Sequence, residues 1–451
     1  MRKWLLGGRE MPTDGGHFVF GDRVMFNGLK NLFGKAVNDD TGNAPAARSR
    51  SLPFLGQEPV FGRNGRIAGH FFRLPDSPTE ADPDRLLLEA LAASRATWQQ
   101  SLAFVPIRST SLEAPELDRL PGGQIVLLLH LAPDAEAGSI GDAMSRLRER
   151  EYGFGVFRQP RNPAYARVIQ QVDYAAIDIA ASEPNSVRDF SSAVRAGVQG
   201  EPLRLLACNI DTLDEHQLCL QWHFDYCHGR FANDTAIASS PPAGDPHKTQ
   251  LLNLLHLVQG DADTAELAKA MRLDPVLSFR ILRYLNSPAL ALTRRIDSLE
   301  QAVTILGRQK LARWLAVLLF SVREPQLSDW LLIENALTRG RLMELLGAQS
   351  LPGGHHDPLF LTGIFSCLDR LLRRPLADIL QAMPVADTIR EALLDRQGPY
   401  AALLSLAEAS ESAEQNRLAG AARQAGLDAE TVNRALLAAT AWASEMTEYW
   451  E

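Results

Sequence analysis

Four residues in CLQWHFDYCHG, residues 219–229, are of types that bind a soft divalent metal: Cys219, His223, Cys227 and His228. Zinc is held by thiolate and imidazole ligands in a tetrahedron, and Cys219, His223 and Cys227 recur at i, i+4, i+8, one face of a helix. Trp222, Phe224 and Tyr226 alternate through the same stretch as in a strand, which would give the four side chains a poor bite. Packing is therefore the expected role, and no metal is assigned. His355, His356 and Asp357 form a second cluster in PGGHHDP, flanked by Gly and Pro and unaccompanied by another ligand group; a solvated loop is expected. Arg280, Arg283, Arg294 and Arg295 surround Asn286–Pro288, either as a solvated face or as a docking patch for an acidic partner or a phosphate. There is no phosphate-cradling Gly-rich loop and no Ser nucleophile motif with a downstream His. No cofactor is expected.

The elements that would position these residues fall into two kinds. Phe54–Phe61, Ile67–Phe72, Ala103–Ile107, Ile125–His130, Phe154–Phe157, Ala175–Ile179 and Leu203–Cys208 are apolar runs of strand length. Helix-length stretches such as Asp82–Gln99, Gly138–Glu151 and Val187–Gly197 lie between them, an alternation that predicts a parallel sheet, open or closed into a barrel. Pro and Gly in SSPPAGDP, residues 239–246, then interrupt regular structure. Beyond it the strand signal ends. Leu251, Leu254, Leu255 and Val258 repeat at helical spacing, as do Leu277, Ile281 and Leu285, and Ser298 with Gln301 makes a capping signature. The division predicted is a leader over 1–50, an α/β unit over 51–237, a linker over 238–248 and an all-helical unit over 249–451. Within the leader, Met25–Ala36 has a weakly amphipathic helical pattern, and Met25 is an alternative start.

Composition narrows the classes. Of 451 residues, 46% are hydrophobic and 22% charged, which excludes a wholly disordered or collagen-like chain. A formal charge of −8 argues against a dedicated nucleic-acid binder. Cys 4 in so long a chain is no disulfide framework and suggests a reducing, cytoplasmic setting. The apolar runs are far shorter than the ~18–20 residues that a membrane-spanning helix needs.

The helical half resembles the HDOD family, a metal-less relative of the HD and HD-GYP phosphohydrolases. The resemblance rests on LDPVLSFRILRYLNSPAL at 273–290 and RIDSLEQAVTILGRQKL at 295–311, with Asp274, Pro275, Asn286, Ser287, Pro288, Ser298, Leu306 and Gly307 as its signature. Asp274 can cap a helix begun by Pro275, and Asn286–Pro288 can end it. The first half resembles a shortened, degenerate EAL domain, the TIM-like β/α barrel of cyclic di-GMP phosphodiesterases, through FLGQEPVFGRNGRIAG at 54–69, VDYAAID at 172–178, Asn209–Thr212 and FDYCHG at 224–229. The two together resemble bacterial EAL–HDOD signalling proteins.

That resemblance implies a site with most of its ligands replaced. A barrel of this type hydrolyses a phosphodiester with Mg²⁺ or Mn²⁺ held by carboxylates at strand ends. Its signature Glu falls on Phe71, its Asn on Pro106, its paired Asp residues on Arg158 and Gln159, its Lys on Ala176 and its Gln on His228. Asp211 stands where a Glu is usual. In the helical half the His-Asp pair falls on Ser366 and Cys367. The resulting expectation is a chain that is not an enzyme: a non-catalytic signalling scaffold acting through protein–protein contacts with bacterial regulatory proteins. The alternative is a non-hydrolysing cyclic di-GMP receptor, with Arg158 meeting a phosphate. Residual metal-dependent hydrolysis is the third reading.

Overall fold

The computed structural model describes residues 52–74, 82–94, 101–197, 202–232, 246–285, 296–321, 325–351, 357–411 and 415–448. The leader, with its Met25–Ala36 pattern, and most of the linker lie outside the described residues.

Eight strands close into a barrel in sequence order: β1 Gly56–Gly62, β2 Ile67–Arg73, β3 Leu102–Arg108, β4 Ile125–His130, β5 Gly153–Phe157, β6 Tyr174–Asp178, β7 Arg204–Ile210 and β8 Tyr226–Gly229. β2 to β8 run parallel, whereas β1 is antiparallel to both β2 and β8. Closure leaves no unpaired edge. The seven strand segments read from the sequence all fall on these elements, and the eighth is the short alternating segment ending at Gly229.

Alternation sorts each strand into two faces. Val60, Phe71, Phe104, Val126, Leu128, Phe157, Tyr174, Ala176, Leu206 and Cys208 fill the barrel. Their neighbours, among them Phe61, Phe72, Val105, Leu127, Val156 and Ile177, pack outward under the helices Pro83–Ala93, Ala137–Arg148, Pro184–Gly197 and Leu213–Gln221. Gly155 makes room inside, because a Cβ there would lie 2.6 Å from Leu128 Cδ2. Asp82 caps the first of these helices, and Thr212 with Glu215 forms a capping box that starts the last.

The second half is helical throughout its described residues, from Pro246–Gln259 to Ala429–Glu448. Pro246 opens a helix rather than sitting in a linker, because its fixed φ and missing N–H suit the first helical turn. Asp274 caps Pro275–Leu285, accepting the Leu277 N–H at 2.9 Å, and Ser298 caps Leu299–Leu306, accepting the Gln301 N–H at 3.2 Å. Gly307 lies at φ 78°, outside the usual range of L side chains. Asn286, Ser287, Pro288, Arg294 and Arg295 lie outside the described residues, as do the side chains of Arg280 and Arg283.

The 24-residue helix Leu327–Ser350 joins the halves. Its Leu327 and Leu331 pack on the barrel's outer core, and its Ile333, Leu337 and Leu346 belong to the helical core. Further along this helix, Gly340 meets Gly363 of Asp357–Phe365 at backbone distance.

Candidate functional site

The C-terminal ends of the parallel strands form the barrel's mouth, where this architecture collects its functional side chains. On the inward register stand Glu58, Arg73, Arg108, His130, Phe157, Asp178 and His228. Glu58 is at the centre of the best-defined cluster. Its carboxylate pairs with His228 Nε2 at 2.7 Å and with the Arg73 guanidinium. Burial pushes the Glu58 carboxyl up, but hydrogen bonding and charge from His228 and Arg73 outweigh it, holding the group at about 2 against an ordinary 4.5. Phe71 lies flat on His228, with centroids 4.2 Å apart and planes 16° apart.

Opposite this cluster, His130 at the end of β4 is exposed and stacks on Phe157 at 4.0 Å and 9°. Burial of part of the ring lowers the His130 imidazole, with the charges of Asp84 and Asp178 opposing that effect. Asp84 is engaged by the Arg108 N–H at 2.8 Å, Arg108 Nε at 3.0 Å and Ser111 Oγ at 2.6 Å. Asp178 accepts a hydrogen bond from Asn209 Nδ2 at 2.9 Å, and Asn209 occupies the left-handed region at φ 57°.

The positions that the sequence comparison with EAL domains singled out are distributed around this mouth. Pro106 lies on β3, and Ala176 is fully buried inside the barrel beside Phe157. Gln159 has become a clip: it accepts the Leu131 N–H at 2.7 Å and donates to the Leu131 carbonyl at 3.1 Å, tying the ends of β4 and β5 together. The Arg158 N–H donates to the Ala176 carbonyl at 2.8 Å, and its side chain is half-buried beside Tyr165. Asp211 is exposed and paired with Arg230 at 3.0 Å. No three His, Cys, Asp or Glu among the described residues converge as a metal would require, so the residues present do not fit the divalent cation that the EAL resemblance implies.

The Cys/His stretch is split between elements. Cys219 lies in a helix, His223 in a turn at φ 63°, and Cys227 and His228 on opposite faces of β8. Burial pushes the Cys219 thiol up to about 12 and raises that of Cys227, as in a packed interior. Asp357, expected in a loop, is the first residue of a helix and lies 3.5 Å from Arg313; His355 and His356 fall outside the described residues.

In the helical half, Ser366 and Cys367 border a charged network. Arg339, buried, donates to Ser366 Oγ at 2.9 Å and to Glu411 at 2.8 Å, and Arg370 Nη2 lies 3.1 Å from Cys367 Sγ. A guanidinium thus stands next to the positions that correspond to the His-Asp pair.

Glu58, His130, Asp178 and Arg339 were absent from the sequence-based set of site residues. Glu58 and His130 are polar residues on the inward register of apolar strands, a signal present in the alternation itself. Asp178 lies within the quoted VDYAAID segment. Arg339 gave no comparable cue, because its partners come from segments far away in the chain.

The HDOD domain family matches residues 248–372. The cyclic di-GMP phosphodiesterase CdgJ of Vibrio cholerae serotype O1 is 24% identical over 412 residues, covering 87% of this chain and 93% of that protein. The uncharacterized protein YuxH of Bacillus subtilis strain 168 is 28% identical over 248 residues, 54% of this chain and 60% of that one. Among solved structures, the PaMucR phosphodiesterase in complex with c-di-GMP matches with a TM-score of 0.32 and 12% identity, covering 39% of this chain and 89% of its own. The EAL domain of Mycobacterium smegmatis DcpA gives 0.31 and 14%, with 39% and 88% covered.

The alignment with CdgJ corrects the expectation of a non-catalytic scaffold that is not an enzyme. A protein that aligns over nearly its whole length is named a phosphodiesterase. The expectation inferred loss of activity from replaced ligand positions alone, and replaced ligands do not by themselves show that activity is lost. The chain thus carries a closed eight-stranded barrel followed by a helical segment, residues 248–372, that matches the HDOD domain family.

Proposed function

We propose that this chain works in cyclic di-GMP signalling and that the mouth of its barrel takes the dinucleotide. The alignment with CdgJ carries this reading, because it spans both halves of each protein. Arg158, which follows the end of β5, supplies in this reading a guanidinium for a phosphate, and the stacked rings at His130 supply a flat surface. In this reading residues 51–237 form the ligand-binding unit, and the helical unit from 249 passes the signal on to a protein in the cytoplasm.

Isothermal titration of the full chain with cyclic di-GMP tests the proposal. Saturable binding that weakens in Arg158→Ala is the expected result, and absence of binding at high protein concentration would remove it. Hydrolysis at the same mouth is a second reading, favoured by the name that CdgJ carries. His228, held at 2.7 Å from Glu58, is the mouth's best-placed proton carrier for it. Chromatography of the titrated mixture, with Mn²⁺ or Mg²⁺ added, distinguishes the two: linear dinucleotide that disappears in His228→Ala establishes turnover.

A further inference from the structure

The foot of the barrel, opposite the mouth, carries a second polar group. Arg204 opens β7 on the inward register of Leu206 and Cys208, and Tyr174 and Tyr226 open the flanking strands β6 and β8 facing the same interior. Tyr174 sits beside Arg204 in the sheet, and Tyr226 beside Gly62, the last residue of β1. Arg204 Nη1 donates to Tyr174 Oη at 3.1 Å, and the guanidinium carbon lies 5.6 Å from the centre of that ring. Phe104 supports both phenols from within, with its centroid 5.5 Å from Tyr174 and 5.7 Å from Tyr226. Arg204 and Tyr226 are half-buried, which leaves part of the group open to solvent. Next to Gly62, Arg63 is exposed, its Nη2 3.5 Å from His223 Nδ1.

Charge is unbalanced here. Among the described residues neither Arg204 nor Arg63 makes an ion pair; phenols and an imidazole are their guanidinium partners. The carboxylates that precede the two tyrosines turn elsewhere, Asp173 to Arg148 at 3.1 Å and Asp225 to Arg195 at 2.7 Å. Burial pushes the Tyr174 phenol up to about 12, so at neutral pH it keeps an O–H to donate while accepting from Arg204.

We infer that the foot of the barrel is an anion site, taking a phosphate group at Arg204 and Tyr174 with Arg63 at its rim. The free edge of the Arg204 fork supplies two parallel N–H bonds to phosphate oxygens, and the Tyr174 hydroxyl supplies a third donor. The site is separate from the mouth and does not depend on what the mouth binds.

Isothermal titration of the full chain at constant ionic strength, with inorganic phosphate and phenyl phosphate as probes, tests this. Wild type should bind phosphate saturably. Arg204→Lys, which keeps the charge and loses the fork, should weaken binding roughly tenfold. Tyr174→Phe should weaken it less, and Arg158→Ala, at the mouth, should leave it unchanged. Tighter binding of phenyl phosphate assigns the site to a phosphomonoester end, and tighter binding of inorganic phosphate to the free ion. Circular dichroism checks the folding of each variant. Arg63→Ala, an exposed change with little effect on folding, should also weaken binding and serves if Arg204→Lys does not fold. Absence of saturable binding in wild type, undiminished affinity in the folded Arg204 or Arg63 variant, or loss of binding in Arg158→Ala overturns the inference.

Discussion

His70 Nε2 and Glu334 Oε1 meet at 2.9 Å in a buried contact that joins the barrel to the helical half across 264 residues of sequence. His70 points outward from β2, while its neighbour Phe71 points inward to the mouth. The same strand thus serves the seam on one face and the candidate site on the other. Arg66 over the Trp330 ring, at 5.0 Å, adds to the contact between the halves.

Removing either member strands a buried polar group. Glu334→Ala should destabilise the chain by at least about 2 kcal/mol, because His70 keeps its burial and loses its partner. Urea unfolding followed by tryptophan fluorescence measures this. The double variant His70→Leu, Glu334→Leu should recover much of the loss, which ties the cost to the stranded imidazole.

Glu58 gives the barrel an acid-sensitive component. Its folded-state value of about 2 lies below the ordinary 4.5, so its contribution is complete above about pH 4.5 and is lost as the pH falls toward 2. Unfolding free energies of wild type and Glu58→Gln, measured from pH 6 downward, should therefore converge as the pH drops below 4.5. Parallel curves would show that the pair with His228 does not set the acid limb.

Gly363 leaves no space for a side chain. A Cβ would lie 2.6 Å from the Cα and N of Gly340, so the two helices must separate to admit even a methyl group. Gly363→Ala should cost about 1–3 kcal/mol or more, seen as a lower melting temperature. Ala at Gly138 or Gly420, where a Cβ meets nothing within 4 Å, is the contrasting control with little loss.

Arg339→Leu should destabilise the helical half by about 1–3 kcal/mol, because Arg339 is buried while Glu411 keeps access to water. It would leave Glu411 without its buried guanidinium and Ser366 without a donor. Thermal unfolding of this variant and of Arg339→Leu with Glu411→Gln checks the assignment, since the second change removes the orphaned charge.

The strands were legible because alternation writes itself into each one: Phe71, Phe104 and Leu128 face in, and Phe72, Val105 and Leu127 face out. The helical caps at Asp274 and Ser298 were equally local and equally readable. The seam was not. His70, Glu334 and Asn433 acquire their roles only when distant segments come together, and no local pattern encodes such a meeting. The site falls between these cases. Phe71 and His228 were recognised through a motif, whereas Glu58 and His130 needed the register to show that their side chains share the barrel's opening.

Asn433 of the helix Ala429–Glu448 accepts the Leu55 N–H at 3.0 Å and donates to the Pro53 carbonyl at 2.9 Å. Leu437 of the same helix belongs to the barrel's outer core, while Phe54 packs on the helical one. Each half therefore lends a residue to the other's interior. During synthesis the barrel's eight strands would all have emerged long before that helix, so the barrel would wait, incompletely covered, for nearly the whole chain. The halves are consequently poor candidates for evolutionary exchange as separate modules: a barrel transplanted alone would carry an exposed backbone clamp site at residues 53–55 and a gap where Leu437 belongs.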